Sequence, residues 1–316
     1  MWEPGDPTIW QGRIDPEDDA AGLRWHQVIR PAGDGPPGTC LLGLASDRGV
    51  ALNQGRVGAA EGPDALRSAL ANLAVTGDRP LYDAGSVRAG EDLPTAQAEY
   101  ARRAAEIIGA GHFLIGLGGG HEIGWASFQG ARAYLDRQGS SPRLGILNFD
   151  AHFDLRRPAP EATSGTPFFQ AAEWCRQHAL PFDYACIGIS AAANTRALFA
   201  TAAELGVESL QDRNCTAPAA ARLIRQLVRR VDALYLTVCL DVLPASVAPG
   251  VSAPAALGIP PAFVIACLHE TARECRASGC RWLLADIAEL NPRLDPDGRT
   301  ARTAARLIWE IEALQG

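Results

Sequence analysis

Gly145–Leu155 reads GILNFDAHFDL, an apolar run that ends in three side chains able to bind a metal, Asp150, His152 and Asp154, at alternate positions. In open parallel sheets ligands bind beyond the carboxyl ends of the strands, so a residue directly after a buried strand already faces the functional edge. Extended alternation puts all three side chains on one side. Two carboxylates flanking an imidazole suit Mn²⁺, Fe²⁺, Co²⁺ or Zn²⁺ better than Ca²⁺. The plainer alternative is a chance DxHxD on a solvated turn.

The run is one of a series. Short segments rich in Val, Ile, Leu and Cys alternate with longer Ala/Arg/Glu segments of helical period, the pattern of repeated βα units around a mainly parallel sheet. Strands are expected at Cys40–Ala45, His112–Leu117, Leu144–Phe149, Tyr184–Ile189, Leu234–Leu240 and Trp282–Ile287. Helices are expected near Pro63–Leu73, Pro94–Gly109, Ile123–Arg137, Ala192–Leu205, Pro218–Arg230, Pro260–Ala277 and Thr300–Leu314, several opening on proline. With no internal repeat and only loop-sized Pro/Gly patches at Pro31–Gly38 and Ala245–Pro261, residues 1–316 read as one α/β domain, residues 1–30 forming a loose arm.

Three further strand ends carry reactive side chains. GLGGGHEIG, Gly116–Gly124, places His121 where a dinucleotide fingerprint needs its last glycine, so the glycines are read as a tight turn that delivers His121 to the same edge. LYLTVCLDVLP, Leu234–Pro244, ends on Cys239 and Asp241; an acid after a buried strand is costly unless paired or metal-bound. LLADIAELNP, Leu283–Pro292, carries Asp286 and Glu289, which on the plainest view are a turn cap and a surface acid.

Composition excludes several alternatives. All 29 basic residues are arginine, so no Schiff base, pyridoxal phosphate anchor or P-loop lysine is available. A formal charge of −7 without a basic stripe argues against nucleic acid or an anionic membrane as partner. MWEPGDPTIWQGRIDPEDDAAG lacks a basic stretch followed by an apolar core, and no later segment is long enough to span a bilayer, so a cytoplasmic protein acting on a small molecule is expected. Eight scattered cysteines with no CxxC pair read as reduced, buried thiols.

Together, GGGH, DAHxD, a strand-end xxCxD and a terminal ELNP, in this order across Gly116–Pro292, resemble the ureohydrolase superfamily of arginase and agmatinase. NQGRVGAAEGPDALR at Asn53–Arg67, SGTPFFQ at Ser164–Gln170 and APGVSAP at Ala248–Pro254 look like its formimidoylglutamase branch. The resemblance implies a three-layer α/β/α fold and two divalent ions, usually Mn²⁺, at the carboxyl edge of the sheet. One would lie between His121, Asp150, Asp154 and Cys239, the other between Asp150, His152, Asp241 and Cys239. It further implies hydrolysis of N-formimidoyl-L-glutamate to glutamate and formamide by a metal-bridging hydroxide, in a protein that assembles as a homo-oligomer. Glu289 would pair with the amidine, Asp154 would pass a proton to the leaving amine, and Arg156, Arg157 and Ser164 would bind the substrate carboxylates. A related amidine or guanidine is the alternative substrate.

The family pattern has aspartate where this chain has Cys239. A thiolate is softer and favours zinc or iron. Two other readings therefore stay open: Cys239 as a nucleophile activated by His152 without metal, and a metal-poor protein that binds without turnover.

Overall fold

The computed structural model describes residues 1–139 and 141–316. Ten strands form one sheet: β1 (Trp2–Glu3), β2 (Arg30–Pro31), β3 (Thr39–Ala45), β4 (Leu81–Arg88), β5 (Phe113–Gly118), β6 (Leu144–Phe149), β7 (Asp183–Ile189), β8 (Glu208–Gln211), β9 (Ala233–Cys239) and β10 (Arg281–Ala288). The six expected strands are all present, with ends shifted by at most a residue or so. Their order across the sheet is β1-β4-β3-β5-β10-β9-β6-β7-β8, with β2 also on β4; only β1 runs antiparallel.

The helices are α1 (Trp25–Val28), α2 (Arg48–Leu52), α3 (Gly62–Leu70), α4 (Leu93–Gly109), α5 (Ile123–Asp136), α6 (Pro167–Gln177), α7 (Arg196–Glu204), α8 (Ala217–Val228), α9 (Pro261–Ser278) and α10 (Arg299–Ala313). α4, α5 and α6 pack in series on one face; α8, α9, α10 and α3 pack on the other. Each face has its own core, one around Leu147, Leu236 and Ile287, the other around Leu114, Ile146 and Tyr235. Successive residues of one strand feed opposite cores, which is why the strands are apolar throughout.

The chain passes from β5 to β6 without placing them side by side, and β10 and β9 later fill the gap. The four strands that carry the motifs are therefore neighbours, and Ala288 lies level with Cys239 and Phe149 with Val238. Their carboxyl ends open at one place.

The amino-terminal segment, expected as a loose arm, is irregular but anchored. Trp2 Nε1 donates to the Ala84 carbonyl at 2.8 Å, Trp10 Nε1 to Asp83 Oδ2 at 2.9 Å, and Trp25 is buried. Asp83 in turn accepts two bonds of 2.9 Å from the buried Arg67 of α3. Among the described residues no helix is long and apolar enough to cross a membrane, and all eight cysteines are free.

Candidate metal centre

Asp150 directly follows β6 and has no exposed surface. Its Oδ1 accepts the His152 N–H at 2.7 Å and its Oδ2 accepts from Asn148 Nδ2 at 3.1 Å. The DAHFD segment is a bent loop, not the extended alternation expected, and Asp154 turns back at φ 49°. The reason is local: Asn194 clamps the loop, accepting from the Phe153 N–H at 3.1 Å and donating to the Ala151 carbonyl at 2.8 Å. The bend still brings Asp150, His152 and Asp154 to one centre.

His121 stands on the turn after β5, where the glycines permit a close crossing: a Cβ on Gly119 would lie 1.8 Å from the Ser46 carbonyl oxygen. His121 Nδ1 lies 3.0 Å from Asp150 Oδ2 and 2.8 Å from Asp154 Oδ2, yet this buried nitrogen makes no hydrogen bond. His152 Nδ1 lies 3.0 Å from Asp241 Oδ2 and 3.5 Å from Asp150 Oδ1. Two donor sets emerge, each with its ligand atoms within 4.8 Å of one another: His121, Asp150 and Cys239, and Asp150, His152 and Asp241. An orphaned imidazole nitrogen about 3 Å from carboxylate oxygens has the spacing of neighbouring donors around a cation with bonds of about 2.1 Å. The residues fit a pair of divalent ions that share Asp150.

Of the two residues that the resemblance implied for both ions, Asp150 joins both donor sets and Cys239 joins only the His121 set. The thiol is buried among Asp150, Asp241, Glu289 and Asp154, and desolvation followed by those negative charges pushes its pKa well above the ordinary thiol value. His152 pairs with Asp241 rather than with this thiol. That environment opposes the thiolate that a metal-free nucleophile requires.

A cavity of about 340 Å³ opens on the centre, with His121, His152, Asp154, Cys239, Asp241 and Glu289 among its lining. Glu289, after β10, is buried at φ 73°, and its Oε1 accepts the His121 N–H at 2.8 Å. Burial first, then the nearby acids Glu122 and Asp241, push its carboxyl up to about 8. Arg156 and Ser164 line the cavity, joined through the Arg156 N–H to the Gly165 carbonyl at 2.9 Å. Arg157 is placed elsewhere, its guanidinium 4.8 Å above the Phe169 ring and outside the lining.

Residues 38–313 match the Arginase family. The chain belongs to that family. It is 51% identical over 315 residues to a formimidoylglutamase of Aromatoleum aromaticum, covering 96% of this chain and 91% of the relative. Among solved structures it resembles formimidoylglutamase from Bacillus subtilis, with a TM-score of 0.80 at 21% identity over 93% of this chain and 92% of that one. It also resembles a Trypanosoma cruzi formiminoglutamase solved with Mn²⁺, with a TM-score of 0.77 at 20% identity over 88% and 93% of the two chains. The arginase fold accounts for the mainly parallel sheet and the α/β class expected from the strand pattern.

Around this arginase-family centre stand residues the motifs did not single out. Asn53, Arg56 and Ser252 line the cavity, with the Arg56 guanidinium held by the Ser252 and Val251 carbonyls at 2.9 and 2.7 Å. Buried Glu122, next to His121, accepts from Ser46 Oγ at 2.7 Å and the Gly49 N–H at 3.0 Å, tying the β3–α2 loop to the histidine turn. Asn148 and Thr237 carried one legible signal, a polar side chain inside an otherwise apolar strand.

Proposed function

We propose that the protein hydrolyses N-formimidoyl-L-glutamate to L-glutamate and formamide at a two-metal centre formed by His121, Asp150, His152, Asp154, Cys239 and Asp241. The observation that carries this reading is the convergence of those six side chains on one centre, all but Asp150 lining its cavity, in a chain half identical to a formimidoylglutamase over nearly its whole length. We read residues 1–316 as a single ureohydrolase domain, supported by the one continuous sheet. Three carboxylates and two imidazoles favour Mn²⁺, with Cys239 shifting the His121 set toward softer zinc or iron. The free cysteines support a reducing, cytoplasmic setting. A homo-oligomer is the expected assembly.

Bound divalent ions supply Lewis-acid activation of water at neutral pH and stabilise developing negative charge. Glu289, which faces the cavity, holds the planar amidinium by charge-assisted hydrogen bonds; a cation beside it favours its ionised form. Arg156 and the Ser164 hydroxyl hold the substrate carboxylates at the mouth. Water adds to the formimidoyl carbon and gives a proton to Asp154, the bond from that carbon to the glutamate nitrogen breaks, and Asp154 passes the proton to the departing amine.

The test is elemental analysis of protein purified under reducing conditions, with formamide and glutamate release assayed with added Mn²⁺ and with chelator. Two bound ions and metal-dependent release of both products are expected. Turnover that survives chelation would return the role to Cys239, and binding without turnover would overturn the assignment.

A further inference from the structure

Among the described residues the cavity lining holds three acids, Asp154, Asp241 and Glu289, all at the metal centre, and two guanidiniums, Arg56 and Arg156. Arg48 and Arg293, on flanking segments, pair with Glu91 and Glu61. Among the described residues Arg56 and Arg156 form no such pair. The two cations are therefore uncompensated by any protein carboxylate, although both line the space in which the substrate must lie.

Arg56 is not a solvated side chain. Its N–H donates to Ser252 Oγ at 2.8 Å, its Nε to the Ser252 carbonyl at 2.9 Å and its Nη2 to the Val251 carbonyl at 2.7 Å. Buried Asn291, two residues after Glu289 in the ELNP segment, donates through Nδ2 to the Arg56 and Val57 carbonyls at 3.0 and 3.1 Å. The backbone carbonyls of 251 and 252 take the side of the guanidinium that carries Nε–H. They leave its far end, with one N–H from each Nη, as a fork of the spacing that a carboxylate accepts. Arg156 reaches the same mouth: a Cβ on Gly165 would stand 2.9 Å from Arg156 Cδ and 3.3 Å from Asn53 Nδ2, so this glycine lets the two segments close together.

We propose that Arg56 is a specificity-determining residue, which binds one carboxylate of the substrate while Arg156 binds the other. Asn291 fixes Arg56 relative to Glu289, so the cavity measures the distance from the amidinium to that carboxylate. Two forks suit a ligand with two carboxylates and a cationic head; for an amino acid with one carboxylate, one fork is left unpaired. The proposal rests on the reading of the substrate as N-formimidoyl-L-glutamate.

The experiment compares wild type, Arg56→Gln and Arg156→Gln, each loaded with Mn²⁺. It measures kcat/KM on N-formimidoyl-L-glutamate and on two analogues that each lack one carboxylate, N-formimidoyl-4-aminobutyrate and N-formimidoyl-L-2-aminobutyrate, beside calorimetric binding of L-glutamate. Each variant should lose about 10–100-fold on the full substrate and bind L-glutamate more weakly by a similar factor. The loss should vanish for Arg56→Gln on one analogue and for Arg156→Gln on the other, because the carboxylate concerned is already gone. An equal loss by Arg56→Gln on all three substrates would make Arg56 a structural residue and overturn the proposal, as would undiminished turnover and glutamate binding. Loss that vanishes for both variants on the same analogue would overturn the division of the carboxylates. Wild type inactive on N-formimidoyl-L-glutamate would overturn the substrate reading instead. Should Arg56→Gln fail to fold, Arg56→Lys takes its place, since it keeps a cation without the fork: the same analogue pattern at a smaller loss supports the proposal, and wild-type activity on the full substrate overturns it.

Discussion

Asp154 and Glu289 both adopt positive φ, 49° and 73°, a region that non-glycine residues rarely enter and that costs on the order of 1–3 kcal/mol. Both line the cavity, so the strained backbone coincides with the two side chains assigned to the chemistry. Glu289 has two tasks, since one oxygen accepts the His121 N–H and the carboxylate charge faces the cavity. Glu289→Gln separates them: the amide oxygen still accepts from His121, while the charge that meets an amidinium is gone. Charge-assisted hydrogen bonds contribute about 1.5–3 kcal/mol, so kcat/KM should fall about 10–100-fold with both metal ions retained, measured by steady-state assay beside elemental analysis.

Among the elements, the turn from β5 into α5 is the tightest joint of the site. Gly119 passes the Ser46 carbonyl so closely that an added Cβ would fall 1.8 Å from its oxygen, and backbone cannot yield as a flexible side chain can. The same joint is bonded twice more, by Gly120 N–H to the Ser46 carbonyl at 2.9 Å and by Glu122 to the Ser46 hydroxyl. Gly119→Ala should destabilise the protein by about 1–3 kcal/mol, read as a lower urea midpoint, and should release the ion held by His121 before that held by His152. An unchanged midpoint would show that the turn can open without cost.

For the molecule as a whole, the proposed metal centre also serves as a staple. Its candidate ligands come from the ends of three strands, β5, β6 and β9, that are far apart in the chain. Without cations the centre gathers Asp150, Asp154, Asp241 and Glu289 in a buried space, where like charges repel. Ions that bind only the folded state stabilise it by about 2.7 kcal/mol at a hundredfold excess over Kd. Chelation should therefore lower Tm by about 5–10 °C, reversed by returning Mn²⁺, and a Tm indifferent to chelator would mean that the centre is not loaded.

Much of this architecture is written locally. A strand covered on both faces must be apolar along its length, and an acid or histidine directly after it has few plausible uses; that is why β5, β6, β9 and β10 and the ligand types at their ends are legible in the sequence alone. β4 is not, because LYDAGSVR is interrupted by Asp83, whose burial makes sense only once Arg67 reaches it from α3. β8 is a half-exposed edge strand, and α6, which begins at Pro167 within the SGTPFFQ segment, carried no expectation of a helix. The fold class, the family and the candidate ligands could all be read from the residues alone. It took the tertiary structure to show that β9 and β10 enter between β5 and β6, that Cys239 joins only one of the two donor sets, and that Arg157 turns away from the cavity. Each of these depends on contacts between residues far apart in the chain, which spacing along the chain does not encode.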